Sequence, residues 1–245
     1  MPALVLLHAF PLDRSMWDRE VRALADAASP IIAPSFPGFG RSELPSRQPT
    51  LDDYADAVVG VMKAAGVERA AVAGLSMGGY VAFAMWRRHR ARIERLALID
   101  TKAEGDTPEA AANRVRLAET IREHGVEALL KAPPKWLRDG SPHWDGLKQM
   151  IRAQNKEAVA QASVAMSTRP DSTKDLASID VPAAVIVGEA DAITPLASSK
   201  TMADGIKDAS LTVIPDAAHI SNIDAPEAFE KAVRAWLRRD RTRPR

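Results

Sequence analysis

The stretch from Ala70 to Trp86, AAVAGLSMGGYVAFAMW, leaves this chain few architectures to adopt. An apolar run from Ala70 to Ala73 meets Gly74-Leu75-Ser76-Met77-Gly78, and a second apolar run from Tyr80 to Trp86 carries the chain away. The first run is short, as a strand buried on both faces is, and the second is long enough for a helix. Arg87, Arg88 and Arg90 follow it, and cations suit the carbonyl-rich end of a helix. The glycines and the serine therefore fall on a strand-to-helix turn. A serine there is held in a strained backbone conformation with its hydroxyl above the strand ends. The N–H of Met77, at the helix start, points to where an oxyanion would form.

The rest of the chain repeats the alternation. Ala3 to Leu7 reads as a buried strand that leads into His8-Ala9-Phe10-Pro11, and Ser15 is expected to cap a helix through Ala27 with Trp17, Val21 and Leu24 on one face. Ile31 to Ala33 is a short strand between Pro30 and Pro34, a pair that suits a sheet edge. A helix from Leu51 to about Ala65 turns Tyr54, Val58, Val61 and Met62 inward. Arg95 to Ile99, Val181 to Gly188 and Leu211 to Ile214 supply further strands. Strands alternating with helices at this spacing predict right-handed crossovers and a mainly parallel sheet of about six strands.

Between Thr101 and about Asp175 the alternation stops. Helical patterns cover roughly 110–124, 126–130, 144–151 and 156–166, broken by Pro133-Pro134 and Gly140-Ser141-Pro142. This predicts a core of residues 1–100 and 176–245 and an all-helical cap of residues 101–175 over the sheet's carboxyl edge.

Composition excludes several classes. The net charge is +1, with no electrostatic footprint for nucleic acid or an anionic membrane. The one basic cluster, Arg238 to Arg245, reads as a frayed, solvated end. The absence of cysteine removes disulfides, thiolate metal sites and a thiol nucleophile, and suits a cytoplasmic location. The run Ala3 to Leu7 is too short for a secretory leader, and no segment reaches the length of a membrane span.

A serine is a poor nucleophile until a base takes its proton, so a histidine and an orienting carboxylate are required. Of five histidines only His219 follows the last strand in a loop, whereas His8 leaves the first strand, where it braces the turn. Asp191 lies directly beyond a strand in Gly188-Glu189-Ala190-Asp191, with Thr194 and Pro195 placed to start the next helix. Asp100, at another strand end, is the rival acid, and its alternative role is to cap the first cap helix or to bond loop amides. Asp216 reads as a turn residue and Asp224 as the N-cap of an Asp-x-x-Glu helix start with Glu227. The N–H of Phe10, on the loop beside the elbow, is the second candidate oxyanion donor with that of Met77. The chemistry so assembled calls for no cofactor and no metal.

With these residues in place the chain resembles the α/β-hydrolase superfamily over nearly its whole length. The order Ser76, Asp191, His219 is the order that family uses, and Pro37-Gly38-Phe39-Gly40-Arg41-Ser42 is similar to its Pro-Gly-x-Gly-x-Ser loop. Ser15-Met16-Trp17-Asp18 and the Gly-Leu-Ser-Met-Gly-Gly elbow are most similar to the subgroup of 3-oxoadipate enol-lactonases and small bacterial carboxylesterases. Two departures stand out. Ala9 replaces the usual glycine after the first histidine, and the chain starts at what corresponds to the family's third strand, without the N-terminal antiparallel pair.

The resemblance implies a serine hydrolase acting on a small carboxylic ester or lactone through an acyl-enzyme, as a monomer or homodimer. The alternatives are a 3-oxoadipate enol-lactonase and, from another class, a ligand receptor on the same fold without turnover. Trp136, Trp144, Met150 and Met166 either line a pocket or fill a core, and Arg114, Arg116, Lys131 and Lys135 either hold a substrate carboxylate or form a solvated face.

Overall fold

The structure, a computed structural model, describes residues 1–131 and 133–239. Six strands form one sheet: β1 (Leu4–Leu7), β2 (Ile31–Ile32), β3 (Ala70–Leu75), β4 (Ile93–Ile99), β5 (Ala183–Gly188) and β6 (Ala209–Ile214). Their order across the sheet is β2-β1-β3-β4-β5-β6, and every neighbouring pair is parallel. Strands β3 and β5 are apolar and buried along their whole length, as a sheet covered on both faces requires. β2 lies at an edge, as its flanking prolines predict.

Helices α1 (Asp18–Ala23), α2 (Leu51–Ala64) and α3 (Met77–His89) form the first crossovers. Helix α2 starts on a reciprocal cap: the Thr50 hydroxyl accepts the Asp53 N–H at 3.2 Å, and the Asp53 carboxylate accepts the Thr50 N–H at 2.7 Å. Its row Tyr54, Val58 and Met62 is buried as expected, but Val61 is 41% exposed. One position away from Met62 it is turned about 100° off that row.

The first helical stretch also differs from expectation. Asp13, not Ser15, is the cap: its Oδ1 accepts the Ser15 N–H at 2.8 Å and opens a 3-10 turn over Arg14–Trp17. A carboxylate two residues ahead of that N–H reaches it directly. Helix α1 then ends at Ala23, because turns at Leu24 to Ala28 return the chain toward Pro30 and β2.

Between β4 and β5 come α4 (Pro108–His124), α5 (Ala128–Lys131), α6 (Trp144–Arg152) and α7 (Lys156–Ser167), with no strand among the described residues there. Thr107 caps α4 through the Ala110 N–H, with Pro108 in the first turn, where its missing N–H costs nothing. The chain then continues through α8 (Leu196–Gly205), β6, α9 (Ser221–Asp224) and α10 (Pro226–Leu237). Several hydrogen bonds tie the helical insertion to loops at the carboxyl ends of the strands. Gln154 donates to Asp13 Oδ2 at 3.0 Å and accepts the Gly40 N–H at 3.1 Å. Gln48 donates to the Gln161 carbonyl at 2.8 Å. The Ile220 N–H donates to the Trp136 carbonyl at 2.8 Å.

Of the basic tail, residues 240–245 lie outside the described residues. Arg239 is not frayed: it donates to the Ala183 carbonyl at 2.9 Å and pairs with Asp208 at 2.5 Å. No described helix is long and apolar enough to cross a membrane.

Candidate active site

The elbow is built by close backbone approach. Ser76 sits between β3 and α3 with φ 55° and ψ −113°, a conformation disfavoured for a side chain that carries a Cβ. It is held there from both sides. Its N–H donates to the Ile99 carbonyl at 2.9 Å, and its carbonyl accepts the Thr101 hydroxyl at 2.9 Å. A Cβ on Gly78 would lie 2.2 Å from the Leu7 carbonyl oxygen, so only glycine lets α3 start this close to β1.

Two loops bring the other side chains to Ser76. Gly188 and Ile214, the last residues of β5 and β6, are in register, so the segments that follow leave the sheet side by side. The Ala190 N–H donates to the Ala217 carbonyl at 2.8 Å and locks them together. His219 Nε2 consequently lies 2.8 Å from Ser76 Oγ, and His219 Nδ1 lies 2.9 Å from Asp191 Oδ2. Ser76, His219 and Asp191 are 9%, 2% and 5% exposed. The reaching atoms thus form one hydrogen-bonded series, shielded from water.

The carboxylate is held by more than the imidazole. Asp191 Oδ1 accepts the N–H groups of Ile193 and Thr194 at 2.8 and 2.9 Å, and Oδ2 accepts the Thr194 hydroxyl at 2.6 Å. Burial, the largest influence, pushes the Asp191 carboxyl up, but the hydrogen bond and charge of His219 together with the Thr194 bonds outweigh it and hold the group below its usual value. Asp191 is therefore ionised, and an ionised acceptor fixes the proton of His219 on Nδ1, leaving Nε2 open toward the hydroxyl. The role of Thr194 was legible only as a helix start. Its spacing of three from Asp191 also fits an acceptor-to-amide turn.

Asp100, the rival acid, is fully buried with φ 42° and is turned to other partners. Its Oδ1 accepts the Gly188 N–H at 2.7 Å, and Oδ2 accepts the N–H and hydroxyl of Ser221. Of its two alternative roles it has the bonding of loop amides, and Thr107 caps α4 instead. Burial and the charge of Asp191 push its carboxyl well up. Asp216 is a turn residue with φ 54°. Asp224 does not cap α10, whose N-cap is Ala225 with no side-chain bond. Its carboxylate accepts the N–H groups of Ala218 and Arg138 instead.

On the other side of Ser76, β1 pairs with β3 up to Leu7 and Gly74, which brings the loop of His8 to Phe10 beside the elbow. His8 Nδ1 donates to the Ala9 carbonyl at 3.0 Å, and Nε2 accepts the Phe36 N–H at 2.9 Å. The Ala9 N–H donates to Met16 Sδ at 3.2 Å. Met77 is the first residue of α3, where helix N–H groups have no acceptor within the helix.

Among the aromatic and methionine side chains, Trp136 and Met166 are buried, while Met150 lines a cavity of about 370 Å³ between the insertion and α1 that Ser76 does not border. Of the candidate anion-binding cations, Arg114 is paired with Asp106 at 2.5 Å, and Arg116, Lys131 and Lys135 are exposed. No three potential metal ligands cluster among the described residues.

Comparison with known proteins agrees with this architecture. Residues 2–226 match the family described as alpha/beta hydrolase fold. A thermophilic esterase from Thermogutta terrifontis, solved with malate bound, is 38% identical with a TM-score of 0.93, over 97% of this chain and 90% of that one. An enol-lactonase from Burkholderia xenovorans is 33% identical with a TM-score of 0.87, over 97% and 92% of the two chains. A 3-oxoadipate enol-lactonase from Acinetobacter baylyi is 28% identical over 93% of this chain and 85% of its own length. With its parallel sheet, serine elbow and matched sequence, the chain belongs to the α/β-hydrolase-fold family.

Proposed function

We propose that the protein is a serine hydrolase that cleaves a small carboxylic ester or lactone through an acyl-enzyme. The observation that carries this reading is the series Asp191, His219, Ser76 with its gaps of 2.9 and 2.8 Å. His219 Nε2 takes the hydroxyl proton as Ser76 Oγ attacks the substrate carbonyl, and the N–H groups of Phe10 and Met77 stabilise the resulting oxyanion. His219 then gives that proton to the departing alkoxide. A water molecule, deprotonated by the same nitrogen, hydrolyses the acyl-enzyme and restores the Ser76 hydroxyl. Asp191 stays ionised throughout and stabilises the imidazolium formed in each half-reaction. Residues 101–175 act as a cap that shapes the pocket and excludes water, above a core of residues 1–100 and 176–245.

A lactone fits the same steps, with the leaving oxygen remaining tethered to the acyl group. The enol-lactonases from Burkholderia xenovorans and Acinetobacter baylyi support a second reading, in which the substrate is 3-oxoadipate enol-lactone.

Turnover of p-nitrophenyl acetate, butyrate and octanoate, measured beside that enol-lactone, ranks the two. In each case Ser76→Ala is expected to lose on the order of 10³-fold or more in turnover while remaining folded. A fluorophosphonate probe is expected to label Ser76. Near-normal ester turnover by Ser76→Ala would refute the assignment, and labelling without multiple turnover on any of these substrates would favour a ligand receptor.

A further inference from the structure

His219 lies in the loop between β6 and α9, and both of its peptide neighbours are tied to other parts of the chain. The N–H of Ala218 donates to Asp224 Oδ2 at 2.9 Å, and the N–H of Ile220 donates to the Trp136 carbonyl at 2.8 Å. The same Asp224 oxygen accepts a second N–H, that of Arg138, at 2.8 Å. Asp224 also donates its own N–H to the Ile220 carbonyl at 3.1 Å. Side chain and backbone of one residue thus hold the residues immediately before and after the imidazole.

Trp136 and Arg138 belong to the stretch of the helical insertion between α5 and α6. That stretch is therefore a strap, fastened on one side of His219 by a carbonyl and on the other by a carboxylate. The bonds on either side of His219 are made out of water: Ala218, Ile220, Trp136 and Asp224 are 2%, 0%, 4% and 8% exposed. A buried N–H that loses its acceptor there finds no solvent to replace it. Helix capping does not account for Asp224, because α10 takes no side-chain cap.

Resting on the reading that His219 is the general base, we propose that Asp224 is a positioning residue for it, acting through the backbone at residues 218 and 220 and through the strap at 136–138. The imidazole must meet two partners at once, Ser76 Oγ and Asp191 Oδ2. A backbone displaced along the loop keeps one of these contacts only by stretching the other. Asp224 sets that backbone without touching the reacting atoms.

Its second oxygen, Oδ1, is buried with no hydrogen-bond partner among the described residues. Asparagine can therefore place its carbonyl oxygen at the Oδ2 position and keep both acceptances, whereas alanine loses both and glutamate moves the oxygens by one methylene.

The test compares Asp224→Ala, Asp224→Glu and Asp224→Asn with wild type on p-nitrophenyl butyrate, with kcat and KM determined separately. It is paired with thermal melting and with the low-field proton resonance of His219 Nδ1–H. Asp224→Ala and Asp224→Glu are expected to lower kcat by about 10- to 100-fold, the scale of a misplaced catalytic group. KM is expected to stay within about twofold and Asp224→Asn to retain kcat within about threefold. The low-field resonance is expected to shift or broaden in the first two variants and to persist in the third. Gln48→Ala, which cuts a different tie between insertion and core, is expected to leave kcat and the resonance unchanged.

Wild-type kcat and an unmoved resonance in Asp224→Ala overturn the proposal. If that variant does not fold, the same result in Asp224→Glu does so. A kcat loss in Asp224→Asn as large as in Asp224→Ala also overturns it. A wild-type protein that turns over no ester and takes up no fluorophosphonate defeats the hydrolase reading and this proposal together. An active wild type with equally active Asp224→Ala and Asp224→Glu defeats this proposal alone.

Discussion

His219 Nε2 stands 2.8 Å from Ser76 Oγ although 143 positions separate the two residues. Neither side chain is brought there by its own element. Ser76 is fixed by bonds to Ile99 and Thr101 at the end of β4, and His219 by a loop whose neighbours are the loop of Asp191 and the strap at 136–138. The contact is a product of strand order, and it can be probed at several distances from the two atoms themselves.

At Asp191, replacement by asparagine keeps the shape and removes the charge. The imidazole then loses the acceptor that holds its proton on Nδ1 and stabilises its protonated form. Asp191→Asn is expected to lower kcat by on the order of 10³- to 10⁴-fold with a small change in melting temperature. Steady-state kinetics with thermal melting check this. Turnover within about tenfold of wild type would refute the acid role of Asp191.

Gly188 makes a second probe. A Cβ there would lie 2.1 Å from the Ala218 carbonyl oxygen and 2.6 Å from that of Ala217, both backbone atoms of the loop that carries His219. Gly188→Ala is expected to cost about 1–3 kcal/mol of stability, as overpacking does, and to lower kcat as well. In α6, Gly146 has nothing within 4 Å of such a Cβ, so Gly146→Ala is expected to leave kcat alone and to gain about 0.5–1 kcal/mol. Denaturant midpoints and kcat of the two variants, set side by side, decide the matter.

The bracing histidine predicts acid sensitivity. His8 is wholly buried, and burial pushes its pKa from 6.5 down to about 4, against the smaller opposing effects of the Ala9 carbonyl and Asp13. One ring nitrogen donates and the other accepts, an arrangement open only to the neutral ring. Below pH 6.5 the unfolded chain binds a proton that the folded chain refuses until about pH 4. The stability present above pH 6.5 is therefore lost across that window, by about 3 kcal/mol in all. Unfolding free energies of wild type and His8→Gln between pH 7 and 4 are expected to converge as pH falls. A difference independent of pH would contradict the account.

Glu20 carries the opposite sign. It is 1% exposed, and burial pushes its pKa from 4.5 up to about 7, against the smaller opposing effects of its own backbone N–H and the Asn222 side chain. The folded chain holds a proton there that the unfolded chain has already released. Its contribution is complete below pH 4.5 and lost as pH rises through about 7, again by about 3 kcal/mol. Glu20→Gln cannot ionise, so its stability relative to wild type is expected to increase from pH 5 to pH 8.5. Parallel denaturation curves at the two pH values check it, and an unchanged difference would count against a buried, protonated carboxyl.

Much of the site was legible along the chain because each key residue lies just past a strand, and strand ends are local signals. Ser76 was marked by its glycines, Asp191 and His219 by the apolar runs before them. The misread positions have other causes. Asp224 looks like a helix cap from its neighbours, yet its carboxylate is claimed by Arg138, 86 positions away, and by Ala218. Asp13 and Ser15 are both cap-forming residues, and only the path of the backbone chooses between them. Val61 has the apolar character of its row but not the angle.

From the order of residues alone came the parallel sheet, the elbow, the three side chains in their sequence Ser76, Asp191, His219, and the helical stretch between β4 and β5. Those features depend on local periodicity and turn chemistry, which neighbours in sequence dictate. Only the folded chain decided that Asp100 binds Gly188 and Ser221, and that a strap from the insertion grips the backbone around His219. These are pairings between distant segments, and a buried polar group takes whichever partner strand order and close packing bring within about 3 Å.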